Sequence, residues 1–305
     1  GGVASQRPIP IKLEPPKTMS ETWKIAGVQM DCELGQTGRN LEKILGHLAS
    51  AAGQGVRLVI FPECALPGYC FDSREEAMPY AEEVPGPAVE SLSQACRRLG
   101  VFAVMGLLER SGDRLFNAAV LVGPQGLIGS YRKVHLPFLG IDRFNTPGDR
   151  PFQVWDLGGL RVGLNICYDG SFPESARVMA LMGADLVALP TNWPPGSECA
   201  SEHMVATRAM ENTIYYAAVN RVGEERGFRF IGGSRICDPS GKTVASEPGD
   251  GEAVLVAEVD PSRARQKRLI RVPGKHEINR IADRRPEFYR TIVEPGGASA
   301  AITSK

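Results

Sequence analysis

Leu160-Arg161-Val162-Gly163-Leu164-Asn165-Ile166, followed by Cys167-Tyr168-Asp169-Gly170 and then Pro173-Glu174-Ser175-Ala176-Arg177-Val178-Met179-Ala180, reads as a strand, a break and a helix. The first run is apolar enough for a buried strand, and proline is at home in the first turn of a helix. The break places a thiol beyond the carboxyl end of a strand, where open α/β sheets bind their ligands. Cys167 is therefore expected to be exposed and reactive. Two charged residues occupy similar points: Glu63 after Val56–Phe61 (VRLVIF), and Lys133 after Leu127–Arg132 (LIGSYR). Taken singly they say little. A free cysteine usually packs as a small hydrophobe, a glutamate in a loop is commonly a cap or a surface ion pair, and a lysine is commonly solvated. A base, a cation and a thiol, all delivered at strand ends, form a set that can attack a carbonyl or nitrile carbon.

Outward from these points the pattern is regular. Lys24–Met30 reads as a strand, and 40–52 carries apolar residues at 41, 44, 45 and 48, the spacing of a helix. Pro87–Leu99 is a second amphipathic helix. Strands are predicted over Val101–Leu107, Asn117–Val122, Leu127–Arg132, Gln153–Asp156 and Leu160–Ile166. The second half repeats the style, with helices over about 173–182 and 198–212. Its strands are Asp185–Leu189, Ile214–Val219, Ile231–Cys237, Thr243–Ala245 and Ala253–Val259. Strands alternating with helices, mixed with hairpins, predict an α/β protein. No linker splits it, so one domain is expected over 21–285. Residues 1–20, rich in proline and polar residues, are expected to be an arm or a cloning remnant, and 286–305 a C-terminal tail; the charged and apolar stretch from about 272 to Phe288 is expected to pack on a partner.

Composition excludes several classes. Lys plus Arg equals Asp plus Glu, 35 against 35, so no global field favours nucleic acid or an acidic membrane. No apolar stretch approaches the ~18 residues of a membrane span. The seven cysteines (32, 64, 70, 96, 167, 199 and 237) show no CxxC spacing, and the four histidines show no HExxH. A reducing, cytoplasmic setting and a site without metal or cofactor are expected, with no export signal at the start.

Ile60-Phe61-Pro62-Glu63, Tyr131-Arg132-Lys133-Val134-His135-Leu136-Pro137 and Ile166-Cys167-Tyr168-Asp169 resemble the three signature segments of the nitrilase superfamily, which hydrolyses amides, carbamoyl compounds and nitriles. Lys133 lies 70 residues past Glu63, and Cys167 lies 34 past Lys133, in keeping with that family. Phe116-Asn117, Thr191-Asn192-Trp193 and Arg208–Asn212 support the likeness, which covers about 23–285. It implies a four-layer α-β-β-α sandwich, a homodimer or larger homo-oligomer, and a Glu63–Lys133–Cys167 triad. In that triad Glu63 moves protons, Cys167 attacks, and Lys133 with the Tyr168 N–H holds the oxyanion.

The family's second glutamate has no counterpart after Lys133, and Asp142 is the nearest carboxylate. Asp142, Tyr168, Asn192, Trp193 and Phe116 are the expected substrate-binding residues. Many nitrile-hydrolysing members carry Trp-Glu after the cysteine; Tyr168-Asp169 favours a small amide or N-carbamoyl substrate. Gly170 and Ser171 offer no cation for an acidic substrate. The alternatives are a nitrilase, a catalytically inactive binding relative, and an ammonia-supplying glutaminase subunit, which the lack of a fused ATP-binding domain disfavours. A thiol redox protein lacks its resolving cysteine.

Overall fold

The computed structural model describes residues 21–294. The arm expected over 1–20 and the last part of the expected tail, 295–305, lie outside the described residues. The chain opens with strand β1 (Trp23–Gln29), helix α1 (Thr37–Gly53), the short β2 (Leu58–Ile60) and α2 (Arg74–Ala77). Helix α3 (Pro87–Leu99) starts on a proline and stops at Gly100, whose φ of 69° is the left-handed conformation suited to glycine. Strands β3 (Phe102–Ser111), β4 (Arg114–Gly123) and β5 (Gly126–Arg132) run on as a meander. Then come β6 (Val154–Asp156), β7 (Arg161–Leu164), α4 (Pro173–Leu181), β8 (Leu186–Thr191), α5 (Val205–Asn212) and β9 (Tyr215–Asn220). A small hairpin, β10 (Glu224–Glu225) and β11 (Phe228–Arg229), precedes β12 (Ser234–Cys237), β13 (Thr243–Glu247) and β14 (Ala253–Val259). Helix α6 (Pro261–Arg265) and a second hairpin, β15 (Leu269–Val272) and β16 (His276–Ile278), follow.

The twelve longer-range strands form two six-stranded sheets, ordered β14-β1-β2-β3-β4-β5 and β13-β12-β9-β8-β7-β6. In each sheet the three central strands are parallel, β1-β2-β3 and β7-β8-β9. Alternation along the strands builds the layers. Ile25, Ile60 and Val104 join Val162, Leu164 and Val219 of the second sheet in one core. Their neighbours Ala26, Val59 and Ala103 pack with Ile44 and Leu48 of α1 and Val89 and Leu92 of α3. On the far side Met179 of α4 and Val205 and Ala209 of α5 cover the second sheet. The result is the expected α-β-β-α sandwich. The sheets come close at Gly27, where an added Cβ would lie 2.7 Å from a methyl of Val219.

Some boundaries differ from expectation. The strand expected from Ile231 starts at Ser234, because Gly232 and Gly233 hold left-handed φ of 63° and 72°. The helix expected over 198–212 contains a π-helical turn, Ala200–Met204, before α5. Beyond β15 the chain forms β16, which completes the hairpin, and two short 3-10 turns, Pro286–Phe288 and Arg290–Ile292.

Candidate active site

Parallel strands release their side chains at one edge, and the first sheet supplies the ionic half of the site there. Glu63 follows β2 in a loop pressed against β3. A Cβ at Gly106 would stand 2.4 Å from the Pro62 carbonyl oxygen and 2.8 Å from the Glu63 Cα, so only glycine permits this approach. Lys133 directly follows β5. Its ammonium donates to Glu63 Oε1 at 2.7 Å and to Asp142 Oδ2 at 2.5 Å. Asn117 of β4 spans the same two acids, donating to Glu63 Oε1 at 2.7 Å and to Asp142 Oδ1 at 2.9 Å. All three charged side chains are buried. Glu63 Oε2 is the exception to this satisfaction: it is buried and has no hydrogen-bond partner.

The second sheet supplies the thiol. Cys167 begins a 3-10 turn over Cys167–Ser171 that leads into α4, and its φ of 43° lies in the left-handed region that non-glycine residues seldom occupy. The buried Asp169 pins this turn. Its carboxylate accepts the Ile166 N–H at 3.0 Å, the Tyr131 hydroxyl at 2.7 Å and the His135 N–H at 3.0 Å, and it pairs with His135 Nδ1 at 2.7 Å. The His135 ring stacks on Phe172, 3.6 Å between centroids. Such over-determination is what sustains a strained backbone. Contrary to the expectation of an exposed thiol, Cys167 is only 8% accessible. The strand-end position holds, but the residue is part of the core shared by the two sheets.

Burial governs the electrostatics. It pushes the Glu63 carboxyl up from its ordinary value; Lys133 pulls it back, and Asp142 adds to the rise. Burial works against the Lys133 ammonium too, but Asp142 and Glu63 outweigh it and hold the amine well above the usual lysine range. The Cys167 thiol is pushed up to about 12, first by burial and then by Glu63, while Lys133, the Thr191 hydroxyl and the Asn192 backbone N–H act the other way. The site thus favours the neutral thiol, the cationic lysine and a carboxylate whose affinity for protons is enhanced.

The model for the carbon-nitrogen hydrolase family matches residues 24–269. The chain belongs to this family. A nitrilase from Pyrococcus abyssi is 41% identical over 268 residues, covering 87% of this chain and 98% of that protein. An (R)-stereoselective amidase from Pseudomonas sp. is 38% identical, covering 78% and 85%. Among solved structures, a mutant amidase from Nesterenkonia sp. AN1, with the acetamide moiety of fluoroacetamide covalently added at its active-site cysteine, superposes with a TM-score of 0.73. It is 26% identical over 91% of this chain and 98% of that one.

In this carbon–nitrogen hydrolase the expected site residues are not all brought together. Glu63, Lys133 and Asp142 are brought into one hydrogen-bonded cluster, with Cys167 near enough to feel the charge of Glu63 and Lys133. Asn192 is fully buried beside Cys167, and neither polar atom of its side chain has a partner. Trp193 is buried in the core between the sheets, while the Tyr168 ring is 40% exposed, edge-on to Phe172. Phe116 is not brought to the cluster. Its ring lies 3.8 Å from the Arg132 guanidinium, on the face of β4 opposite to Asn117. Asn117 is thus a site residue absent from the expected set, although period-2 alternation makes one of the pair Phe116-Asn117 face the site. Tyr69 and Asp169 gave no local signal for their roles. Among the described residues, no group of three or more His, Cys, Asp and Glu is placed to hold a metal ion, and no helix is long and apolar enough to cross a membrane.

Proposed function

We propose that this chain hydrolyses the C–N bond of a small amide or N-carbamoyl compound, with Cys167 as nucleophile, Glu63 as base and acid, and Lys133 as the electrostatic partner. The carrying observation is the free, buried Oε2 of Glu63: Oε1 is committed to Lys133 and Asn117, and the second oxygen is left to take a proton. As Cys167 Sγ bonds to the carbonyl carbon, its proton passes to Glu63. The oxyanion is met by the Lys133 ammonium and the Tyr168 backbone N–H. Losing one such donor costs about 2.7–4 kcal/mol in comparable sites. The C–N bond then breaks, and protonated Glu63 delivers its proton to the departing nitrogen. Water, deprotonated by Glu63, cleaves the thioester to the acid.

Asn192 supports amide over nitrile. Its side chain leaves both the amide NH2, a donor, and the carbonyl oxygen, an acceptor, unpaired. A planar amide or carbamoyl group answers both, whereas a nitrile nitrogen is an acceptor only. Matched amide and nitrile pairs decide this reading. The amide should have the larger kcat/KM, and intact mass should reveal an acyl adduct on Cys167; a nitrile preference or an adduct elsewhere counts against it.

The hydrolase domain is taken as 21–285 and 286–305 as a tail. Exposed Val178 and Leu181 on α4, Met182 and Met210 support a homodimer or larger assembly. Light scattering at micromolar concentration tests it, a lone monomer being the contrary result. The seven unpaired cysteines support a reducing, cytoplasmic setting.

A further inference from the structure

Behind the ionic cluster lies a second buried network that hydrolysis, as derived above, does not use. The Tyr69 hydroxyl donates to Asp142 Oδ2 at 2.9 Å, the oxygen that also receives Lys133, and lies 3.2 Å from the Leu139 carbonyl. The Tyr69 carbonyl accepts the Ile141 N–H at 2.9 Å, so this one residue grips the Asp142 segment by side chain and backbone. Room for the ring is made at Gly140, with φ of 47°, where a Cβ would stand 2.4 Å from the ring. Tyr69 is itself held from behind. Glu225 Oε2 accepts the N–H groups of Tyr69 and Cys70 at 2.9 and 2.8 Å, while Glu225 Oε1 takes Arg221 at 2.5 Å. The Arg221 guanidinium also reaches Asp31 Oδ1 at 2.9 Å and the Cys32 carbonyl at 2.7 Å, and lies 4.2 Å from the Phe230 ring. Tyr69, Arg221 and Glu225 are all buried.

Arg221 directly follows β9 of the second sheet, whereas Asp31, Cys32 and Tyr69 belong to loops leaving β1 and β2 of the first. The network therefore crosses the same gap that separates Cys167 from Glu63 and Lys133. A buried ion pair is seldom worth more in stability than well-packed apolar residues, so the geometry it imposes is the better account of its presence. We propose that Tyr69 is a positioning residue for the Lys133–Asp142 pair, and that the Arg221–Glu225 ion pair clamps Tyr69 and so fixes the register of the ionic half of the site against the thiol half. This inference rests on the roles given above to Glu63, Lys133 and Cys167.

The test is Tyr69→Phe, which keeps the ring and deletes one donor. With that donor gone, Asp142 draws more of the Lys133 ammonium, leaving Glu63 less neutralised. Lys133, Asp142, Cys64 and Cys167 are the titratable groups that act on or are affected by Glu63; Tyr69 in turn faces Asp142, Glu63, Cys167 and, through its backbone, Glu225. The acid limb of the kcat/KM profile should move to higher pH, and kcat should fall about tenfold or more with KM changed less than about twofold, the pattern of lost alignment. Arg221→Lys and Glu225→Gln should shift the limb in the same direction by less. Combined with Tyr69→Phe, each should cost less than the sum of the single changes. Labelling of Cys167 by a haloacetamide in the parent protein separates the two readings. If Cys167 is labelled but Tyr69→Phe keeps the parent acid limb, or if the double variants are fully additive, the clamp is overturned alone. If the parent is not labelled at Cys167, both readings fall. Should Glu225→Gln not fold, Tyr69→Phe and its pairing with Arg221→Lys still decide the matter.

Discussion

The two sheets contribute to the site by opposite physical means. The first sheet brings formal charge: Lys133 between Glu63 and Asp142, buried, with Asn117 crossing beneath them. The second brings shape: a neutral thiol on a left-handed residue, braced by Asp169 through four contacts. Charges taken out of water need partners, so the first half is built from hydrogen bonds whose loss is costly. Strained backbone needs over-determination, so the second half is built from a carboxylate that satisfies several N–H and O–H groups at once. The comparison teaches that reactivity arises where the halves meet, because the Cys167 thiol stands on one and the unpartnered oxygen of Glu63 on the other.

The hardest blow to this division comes from removing the group on which both halves act. Cys167→Ala should reduce turnover by at least about 10³-fold while leaving the melting temperature nearly unchanged. Activity within tenfold of the parent would end the nucleophile assignment. Glu63→Gln should fall almost as far, since the same carboxylate serves in both half-reactions.

Lys133→Met probes the charged half through stability. It leaves two carboxyls buried together and should cost about 3–5 kcal/mol at neutral pH. Glu63 already has its folded-state proton affinity raised above the ordinary value. A raised carboxyl favours the folded state at pH below its unfolded value and loses that contribution as pH rises through the folded one. The deficit of Lys133→Met should therefore shrink on acidification. Denaturant melts at several pH values read this directly, and a deficit that grows with acid would contradict the charged-half account.

The shaped half is probed next. Asp169→Asn keeps the volume but cannot accept all of the N–H and O–H groups now served, so a loss of about 10–100-fold in kcat is expected with stability less affected than in Lys133→Met. Equal damage to stability in the two variants would erase the contrast. The thiol itself supplies a finer measure. With Cys167 pushed up to about 12, its alkylation rate should show no inflection near the ~8.5 of a free thiol. An inflection there would mean that the site does not bury it.

The smallest effect is expected at Phe116. Facing Arg132 rather than the cluster, Phe116→Leu should leave kcat/KM within about threefold and appear mainly as a lower melting temperature, whereas Asn117→Ala should damage activity. The reverse order would place the wrong face of β4 in the site.

Adjacent residues explain why some of this was legible and some was not. The strand-end positions of Glu63, Lys133 and Cys167 can be read from apolar runs broken by turns, because strand propensity and turn chemistry act over a few residues. The pair Phe116-Asn117 stands out in the sequence, but nothing local tells which of the two faces the site. Alternation fixes that the two side chains point apart, and only the placement of a second sheet tells which side is the site. Asp142 is the nearest carboxylate after Lys133 in the chain, yet its bond to Tyr69, 73 positions away, leaves no local trace.

By itself, then, the sequence determined the α/β class, the order of strands and helices, and the three chemical groups offered at strand ends, since each follows from periodicity and residue type within a short window. Tertiary structure alone decided that the thiol is covered rather than exposed, that Lys133 answers two carboxylates, that one oxygen of Glu63 is left free, and that Arg221 and Glu225 grip the opposite sheet. Those outcomes depend on how two sheets are set against each other. That register is fixed by the summed packing of many apolar residues, and no segment of the chain encodes it alone.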